Sequence, residues 1–250
     1  MNKEKLLTIF GLPVFWLLYF LFELLTGRIT SKEIVLGNIL FTLLFTIVGF
    51  IIYKIKSKYP NGFKNKSIIL SLLLFFIFDQ GIKLVIKFFF FDNKITIIKD
   101  FLFFNPLINT DGSWLNARFN TGINFYFLIF INFISLFLFV EIYRYLLSKK
   151  QKNFWIDSCF IFIFTGSLCS LIDKVFYGGS LDFIGVGNLF IADIKDIYLD
   201  FSIVFFIIAL FIGDYLSSND NSTFKEDLNS LKRFLIFIKN DLFSLFHLKK

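Results

Sequence analysis

The sequence has 250 residues, 56% of them hydrophobic, with 41 Phe, only 3 Pro and a mean hydropathy of +0.73. An ordinary soluble domain is about 45–50% apolar even with Gly counted, so a water-soluble fold would have to expose much of this Phe and Leu. The formal net charge of +7 comes from lysines dispersed among short connections, which gives no reason to propose a nucleic-acid partner.

In chain order, six stretches are long enough to cross a hydrocarbon core, which takes about 20 residues each. They are Leu6–Leu25, Ile34–Tyr53, Ser67–Phe90, Asn124–Leu147, Phe154–Asp173 and Ile197–Tyr215. The scarcity of Pro favours long helices over a membrane barrel of short alternating strands. Lys3 and Lys5 precede the first stretch as they would a signal peptide. Its apolar run is too long for that, and Leu24, Leu25, Thr26, Gly27 and Arg28 offer no small-x-small cleavage site, so it reads as a retained helix. The first two stretches hold almost no internal charge except Glu23. With their connecting loop they read as a two-helix N-terminal membrane anchor over residues 1–66. Residues 67–216 carry the intramembrane acids and form the candidate four-helix working unit.

The tail, residues 217–250, has a different pattern. Phe224, Leu228, Leu231, Leu235, Ile238, Leu242 and Leu245 recur at alternating spacings of four and three, with Lys225, Lys232, Arg233 and Lys239 off that stripe. This is a basic amphipathic helix, most simply lying in the headgroup plane. Docking onto a protein partner is the alternative.

Basic residues orient the bundle. Lys54, Lys56, Lys58, Lys64 and Lys66 follow the second stretch, Arg144, Lys149, Lys150 and Lys152 the fourth, and the tail adds more, including Lys249 and Lys250. With six spans these regions share one side, so the positive-inside rule makes them and both termini cytoplasmic. The loops near Phe91–Ile123 and Lys174–Lys195 then face outward. Cys159 and Cys169 are ten residues apart in one helix, too far for a disulfide and without a metal-ligand pattern. They read as small side chains in a helix interface. The sole histidine, His247, cannot supply a metalloprotease site, and no metal or cofactor is expected.

An Asp near the centre of a membrane helix costs about 2.5–3.5 kcal/mol. Asp79 and Lys83 are four residues apart and share a helical face, so they can pair. A structural ion pair would account for them alone. Three further clusters converge on the outer leaflet: Arg118–Phe125, Gly166–Lys174, and Asp182-Phe183 followed by Ala192, Asp193, Lys195 and Asp196.

These clusters resemble the ordered motifs of the signal peptidase II family: D-Q-x-x-K, N-x-G-x-x-F, G-x-x-x-N-x-x-D-R, V-D-F and F-N-x-A-D. Asp79, Gln80 and Lys83 match the first; Asn120, Gly122 and Phe125 match the second; Gly166 and Asp173 match the third. Asp182-Phe183 follows at the family's nine-residue interval. Ser170 replaces the family Asn, and Lys174 replaces the Arg, keeping its charge but losing the bidentate fork. The last motif has two registers. One keeps Ala192-Asp193 and puts Phe190 at the Asn. The other slides by three, putting Asp193 at the Asn, Asp196 at the catalytic acid and Ser202 where Gly is frequent. The second is preferred, and the first stays open because Asp193, Asp196 and Asp200 share one helical face.

The resemblance implies an all-α polytopic membrane protein: a four-helix core, two added N-terminal helices and a small β-rich outer loop. It implies a multi-pass protein of the bacterial inner membrane, with diacylglyceryl-modified prolipoproteins and membrane lipids as partners. The implied activity is that of an aspartic endopeptidase, cutting the signal peptide just before the lipidated cysteine. Asp182 and Asp196 would be catalytic, with Asp193 supporting them. Asn120 and Gly122 would hold the substrate backbone, and Asp79, Lys83, Ser170, Asp173 and Lys174 would brace the cleft. A non-cleaving lipoprotein-binding paralogue and a transport protein with a polar intramembrane pathway are the competing readings.

Overall fold

The computed structural model describes residues 3–213 and 224–245; Tyr215, the boundary between residues 216 and 217, and His247 lie outside the described residues. The elements begin with α1 (Lys3–Leu25), α2 (Lys32–Lys58) and α3 (Asn65–Val85), which a π-helical turn extends through Ile86–Phe90. Strands β1 (Ile95–Ile98) and β2 (Leu102–Asn109) follow, then a short α4 (Trp114–Phe119) and the long α5 (Phe125–Ser148) and α6 (Phe154–Tyr177). The chain continues through β3 (Ser180–Val186), β4 (Phe190–Ala192), α7 (Ile194–Ile212) and α8 (Phe224–Leu245).

Among the described residues, five helices are long and apolar enough to cross a membrane: α1, α2, α3 with its π-helical end, α5 and α6. The sixth expected stretch is α7, and it differs in kind. It starts at Ile194 rather than Ile197, and its first two turns carry Lys195, Asp196 and Asp200. Its 19 residues rise about 1.5 Å each, close to the roughly 30 Å of a hydrocarbon core. Charge, not length, sets it apart.

Side-chain oxygens start most of these helices by accepting orphan amide protons. Ser31 caps α2, Asn124 caps α5, Asn153 caps α6 and Asp193 caps α7. Gly178, at φ +66°, ends α6 in the left-handed conformation that glycine adopts without strain.

The two outward loops of the sequence reading pair into one four-stranded antiparallel sheet in the order β1-β2-β3-β4. Leu107 lies opposite Asp182 and Asn109 opposite Ser180. The sheet therefore ties the loop after α3 to the loop after α6, directly beside the end of α6 and the start of α7.

The first two helices are packed into the core. A Cβ on Gly49 of α2 would lie 2.4 Å from the Ile9 carbonyl oxygen of α1, and one on Gly11 of α1 would lie 3.0 Å from Val204 of α7. Glu23 is fully buried between Arg28 and Arg118. Arg28 in turn donates to the carbonyl oxygens of Asn188 (2.6 Å) and Leu189 (2.7 Å), in the turn between β3 and β4. A boundary at residue 66 thus divides the chain by order, while the packing runs across it. Gly49→Val should force α1 from α2 and cost about 1–3 kcal/mol of stability, read as a lower melting temperature in detergent. Gly81→Ala, where an added Cβ meets nothing within 4 Å, should cost nothing. Equal melting temperatures would mean that the close α1–α2 approach is not maintained.

Helix α8 docks on the C-terminal end of α5. Phe234 and Phe237 each approach the Tyr145 ring at 5.3 Å, and Arg144 pairs with Asp241 at 2.6 Å. That contact uses the face beside the leucine stripe, so Leu228, Leu231 and Leu235 stay exposed. Cys159 and Cys169 are free thiols, and Cys169 is fully buried in α6.

Candidate active site

The site forms where α3, α6, β3 and the start of α7 meet. Helix α3 presents Asp79, Gln80 and Lys83, all buried. Lys83 Nζ lies 2.9 Å from Asp79, 2.7 Å from Asp173 of α6 and 2.6 Å from Asp193 at the cap of α7. One ammonium with three donors thereby joins carboxylates from three elements. Gln80 donates to both Asp79 and Asp173, and Asp79 Oδ1 accepts the backbone N–H of Lys195 at 3.0 Å.

Beside this network lie the acids of β3 and of the start of α7. Asp193 is fully buried and both its oxygens are engaged. Oδ1 accepts the Asp196 amide, while Oδ2 receives Lys83, Lys195 and Ser180. Asp196, at the third helical position, accepts the Asp193 amide in return, completing a capping box. Asp182 comes from β3. Its Oδ2 accepts from Asn109 Nδ2 at 2.7 Å, and its buried Oδ1 has no hydrogen-bond partner. Carboxylate oxygens of Asp182, Asp193 and Asp196 all lie within 4.8 Å of one another.

Burial pushes the Asp182 carboxyl up, with Asp193 adding to the effect and Lys195 opposing it in part. Burial pushes Asp193 up as well, but Lys195 and Lys83 outweigh it and hold this group well below the usual carboxylate range. Like charges this close cannot all ionise. Two ammoniums thus hold the charge of Asp193, while burial at Asp182 favours the protonated form. Asp196 is the open member, its side chain 41% exposed.

Three such carboxylates could in principle hold a metal ion. The ammonium of Lys195 already stands among them, 2.6 Å from Asp193, 3.6 Å from Asp196 and 3.9 Å from Asp182. The donor set contains its own cation, and among the described residues no His or Cys joins it.

A cavity of about 350 Å³ opens beside the network, with Lys83 and Asp173 on one side and apolar walls from Leu84, Phe91, Ile108 and Leu181.

Of the residues singled out by sequence, the fold brings together Asp79, Lys83, Asp173, Asp182, Asp193 and Asp196. Ser170 and Lys174 pair with each other, the ammonium donating to the hydroxyl, and Lys174 forms no ion pair within 4 Å among the described residues. Asn120 and Gly122 are not brought in. Asn120 closes α4 in a left-handed conformation, φ 51°, and both residues are exposed in a loop knitted by Asn116. The position beside Asp182 belongs instead to Asn109, and Ser180 and Lys195 complete the cluster. The only local signal at Asn109 is a turn, since its side chain accepts the amide of Asp111.

The family model for signal peptidase (SPase) II matches residues 71–212, more than half of the chain. The match takes in every carboxylate of the site and leaves α1, α2 and α8 outside. Two solved structures are similar, each described as a bacterial membrane enzyme determined by the in meso method. One, at 2.3 Å resolution, is 24% identical, covers 66% of this chain and 99% of its own, and superposes with a TM-score of 0.52. The other, at 1.9 Å, is 25% identical, covers 61% of this chain and 96% of its own, with a TM-score of 0.49. The first shares the fold of the core. No curated protein sequence matches the chain.

Proposed function

We propose that this chain, which belongs to the signal peptidase II family, is a membrane aspartic endopeptidase that removes signal peptides from diacylglyceryl-modified prolipoproteins. The observation that carries the reading is the trio of carboxylates whose members have unequal surroundings. Asp182 Oδ1 is buried without a hydrogen-bond partner, Asp196 is open, and Asp193 is engaged at both oxygens.

The capping geometry supports Asp196 over Asp193 as the second acid. The family's Asn and Asp are three residues apart, the spacing of a helix cap and its third residue. Asn and Asp cap helices about equally well, so Asp193 can take the family Asn's place while Asp196 takes the acid's.

In the proposed reaction, ionised Asp196 takes a proton from water while its oxygen attacks the scissile carbonyl carbon. Protonated Asp182 donates to the carbonyl oxygen, giving a tetrahedral diol. On collapse the diol returns a proton to Asp182, Asp196 passes its proton to the leaving amine, and the C–N bond breaks. The dyad ends as it began, sharing one proton. The apolar cavity beside Lys83 and Asp173 suits lipid-modified substrate. A transport pathway finds less support, since the bundle beyond the site closes on Trp155, Phe162, Phe201 and Phe205.

The test is incubation of the purified full-length protein with a diacylglyceryl prolipoprotein. Cleavage before the modified cysteine is expected; binding without cleavage would favour the non-cleaving paralogue. For orientation, the lysine-rich connections support cytoplasmic termini in the bacterial inner membrane. A reporter after Lys250 should be cytoplasmic and one inserted between Asp111 and Gly112 should be outside. The opposite result at either point overturns this orientation.

A further inference from the structure

We propose that Asp193 and Lys195 are a matched charge pair standing where the family pattern has uncharged Asn and Ala, with Lys195 the positioning residue that gathers the three carboxylates. The inference rests on the proposed function and on the register that places Asp196 at the catalytic acid. In that register Asp193 falls on the Asn of F-N-x-A-D and Lys195 on the Ala. The register thus sets a buried carboxylate and a buried ammonium at two positions that the family pattern leaves uncharged.

The geometry gives the pair its purpose. Lys195 is 4% exposed, and its Nζ reaches Asp193 and Ser180 at 2.6 Å each and Asp173 at 3.6 Å. Asp196 at 3.6 Å and Asp182 at 3.9 Å complete its surroundings. The charged groups on the elements packed around it are Asp79 and Lys83 of α3, Asp173 and Lys174 of α6, and Asp182 of β3. Lys174, at the position of the family Arg, bonds Ser170 rather than any acid. The α6 cation therefore makes no ion pair with the cluster, whereas the α7 cation does.

Counting full charges of the groups joined by ion pairs within 4 Å, five acids (Asp79, Asp173, Asp182, Asp193, Asp196) face two ammoniums (Lys83, Lys195), a balance of −3 before the shared proton. Lys195→Ala makes that −4, and the added repulsion falls on Asp182 and Asp196. Asp193→Asn together with Lys195→Ala returns it to −3 and restores the family residues at both positions. Loss of a nearby cation favours the protonated carboxyl, so acids beside Lys195 should protonate at higher pH once it is gone.

The experiment compares wild type, Lys195→Ala, Lys195→Arg and the double variant, all full length in detergent. Cleavage of the diacylglyceryl prolipoprotein is followed across pH. In parallel, an apolar carbodiimide, which attacks protonated carboxyls, is mapped on Asp182 and Asp196 by mass spectrometry. Lys195→Ala should cleave at least about tenfold more slowly, with the acid limb and the half-labelling pH raised by about 1–3 pH units. The double variant should recover most of the rate and both pH positions, whereas Lys195→Arg, which keeps the charge but not the compact contacts of the ammonium, should keep the pH positions while losing rate. If Lys195→Ala does not fold, the double variant must still fold and give wild-type labelling, and its failure overturns the pairing. A double variant no better than Lys195→Ala, or labelling that ignores Lys195, also overturns it. If wild type does not cleave but labelling moves as stated, the charge pair stands and the peptidase reading falls.

Discussion

Asp182→Asn and Asp196→Asn should each lose at least about 10²–10⁴ in prolipoprotein cleavage rate, while Asp193→Asn should lose less than about tenfold. The difference follows from which lone pairs are free. Every oxygen of Asp193 is committed, Oδ1 to the Asp196 amide and Oδ2 to Lys83, Lys195 and Ser180. A carboxylate so engaged and fully buried is a poor base, its charge held by two ammoniums and closed off from water. Asn at this position keeps the helix cap through its carbonyl oxygen. Asp182 Oδ1 has no such engagement, and Asp196 has one side open. Replacing either with Asn preserves size and removes the titrating group. The pH dependence should be bell-shaped, because activity needs one protonated and one ionised member, and its two limbs belong to the dyad jointly. Since burial raises Asp182, the alkaline limb, where the shared proton leaves, should lie above the ordinary carboxylate range. An inactive Asp193→Asn beside an active Asp196→Asn would reverse the assignment and restore the Ala192-Asp193 register. Normal cleavage by all three variants would end the peptidase reading.

The parts of this architecture that were legible in the sequence are those written in local pattern. Spans of about 20 apolar residues announce α1, α2, α3, α5 and α6. The spacing of Asp79 and Lys83 puts both on one helical face, and the order of acids along the chain gives the third and fourth motifs. Contacts between distant segments were not legible. Asn109 reaches Asp182 across 73 residues, and Arg28 reaches Asn188 across 160. Both depend on strand pairing or helix packing that leaves no periodic trace. Strand β2 contains Pro106 and a break in its register, so it does not read as an ordinary strand. The N-x-G-x-x-F match pointed to Asn120 and Gly122 because it is local, whereas α4 carries that segment onto an exposed loop. Lys195 was visible as a charge, but its direction follows from the turn of α7 that Asp193 caps. Its inward course could be known only once that cap was fixed.

Lys83→Met should have the largest effect on folding. The Lys83 ammonium is 4% exposed and lies within 2.9 Å of carboxylates from α3, α6 and the cap of α7. Methionine fills much of the same volume but leaves Asp79, Asp173 and Asp193 without their common cation. Removing one partner of a buried ion pair costs about 3–5 kcal/mol, and here three partners lose it at once. Lys195 still reaches Asp173 and Asp193, but Asp79 is left without an ammonium, keeping Gln80, the Lys195 amide and the Cys169 thiol. The variant should fail to accumulate in membranes, or melt far below wild type in detergent. Lys83→Arg should rescue little, because a planar guanidinium fork cannot adopt the compact three-way contact of an ammonium. Lys87→Met, one helical turn further on, provides the control. That lysine is exposed and lies 5.1 Å over the Tyr177 ring, so its loss should cost no more than about 1 kcal/mol. Adding Asp79→Asn to Lys83→Met should recover part of the stability by removing the carboxylate left without an ammonium. A Lys83→Met protein that melts and cleaves like wild type would show that the three carboxylates hold the bundle without a shared ammonium.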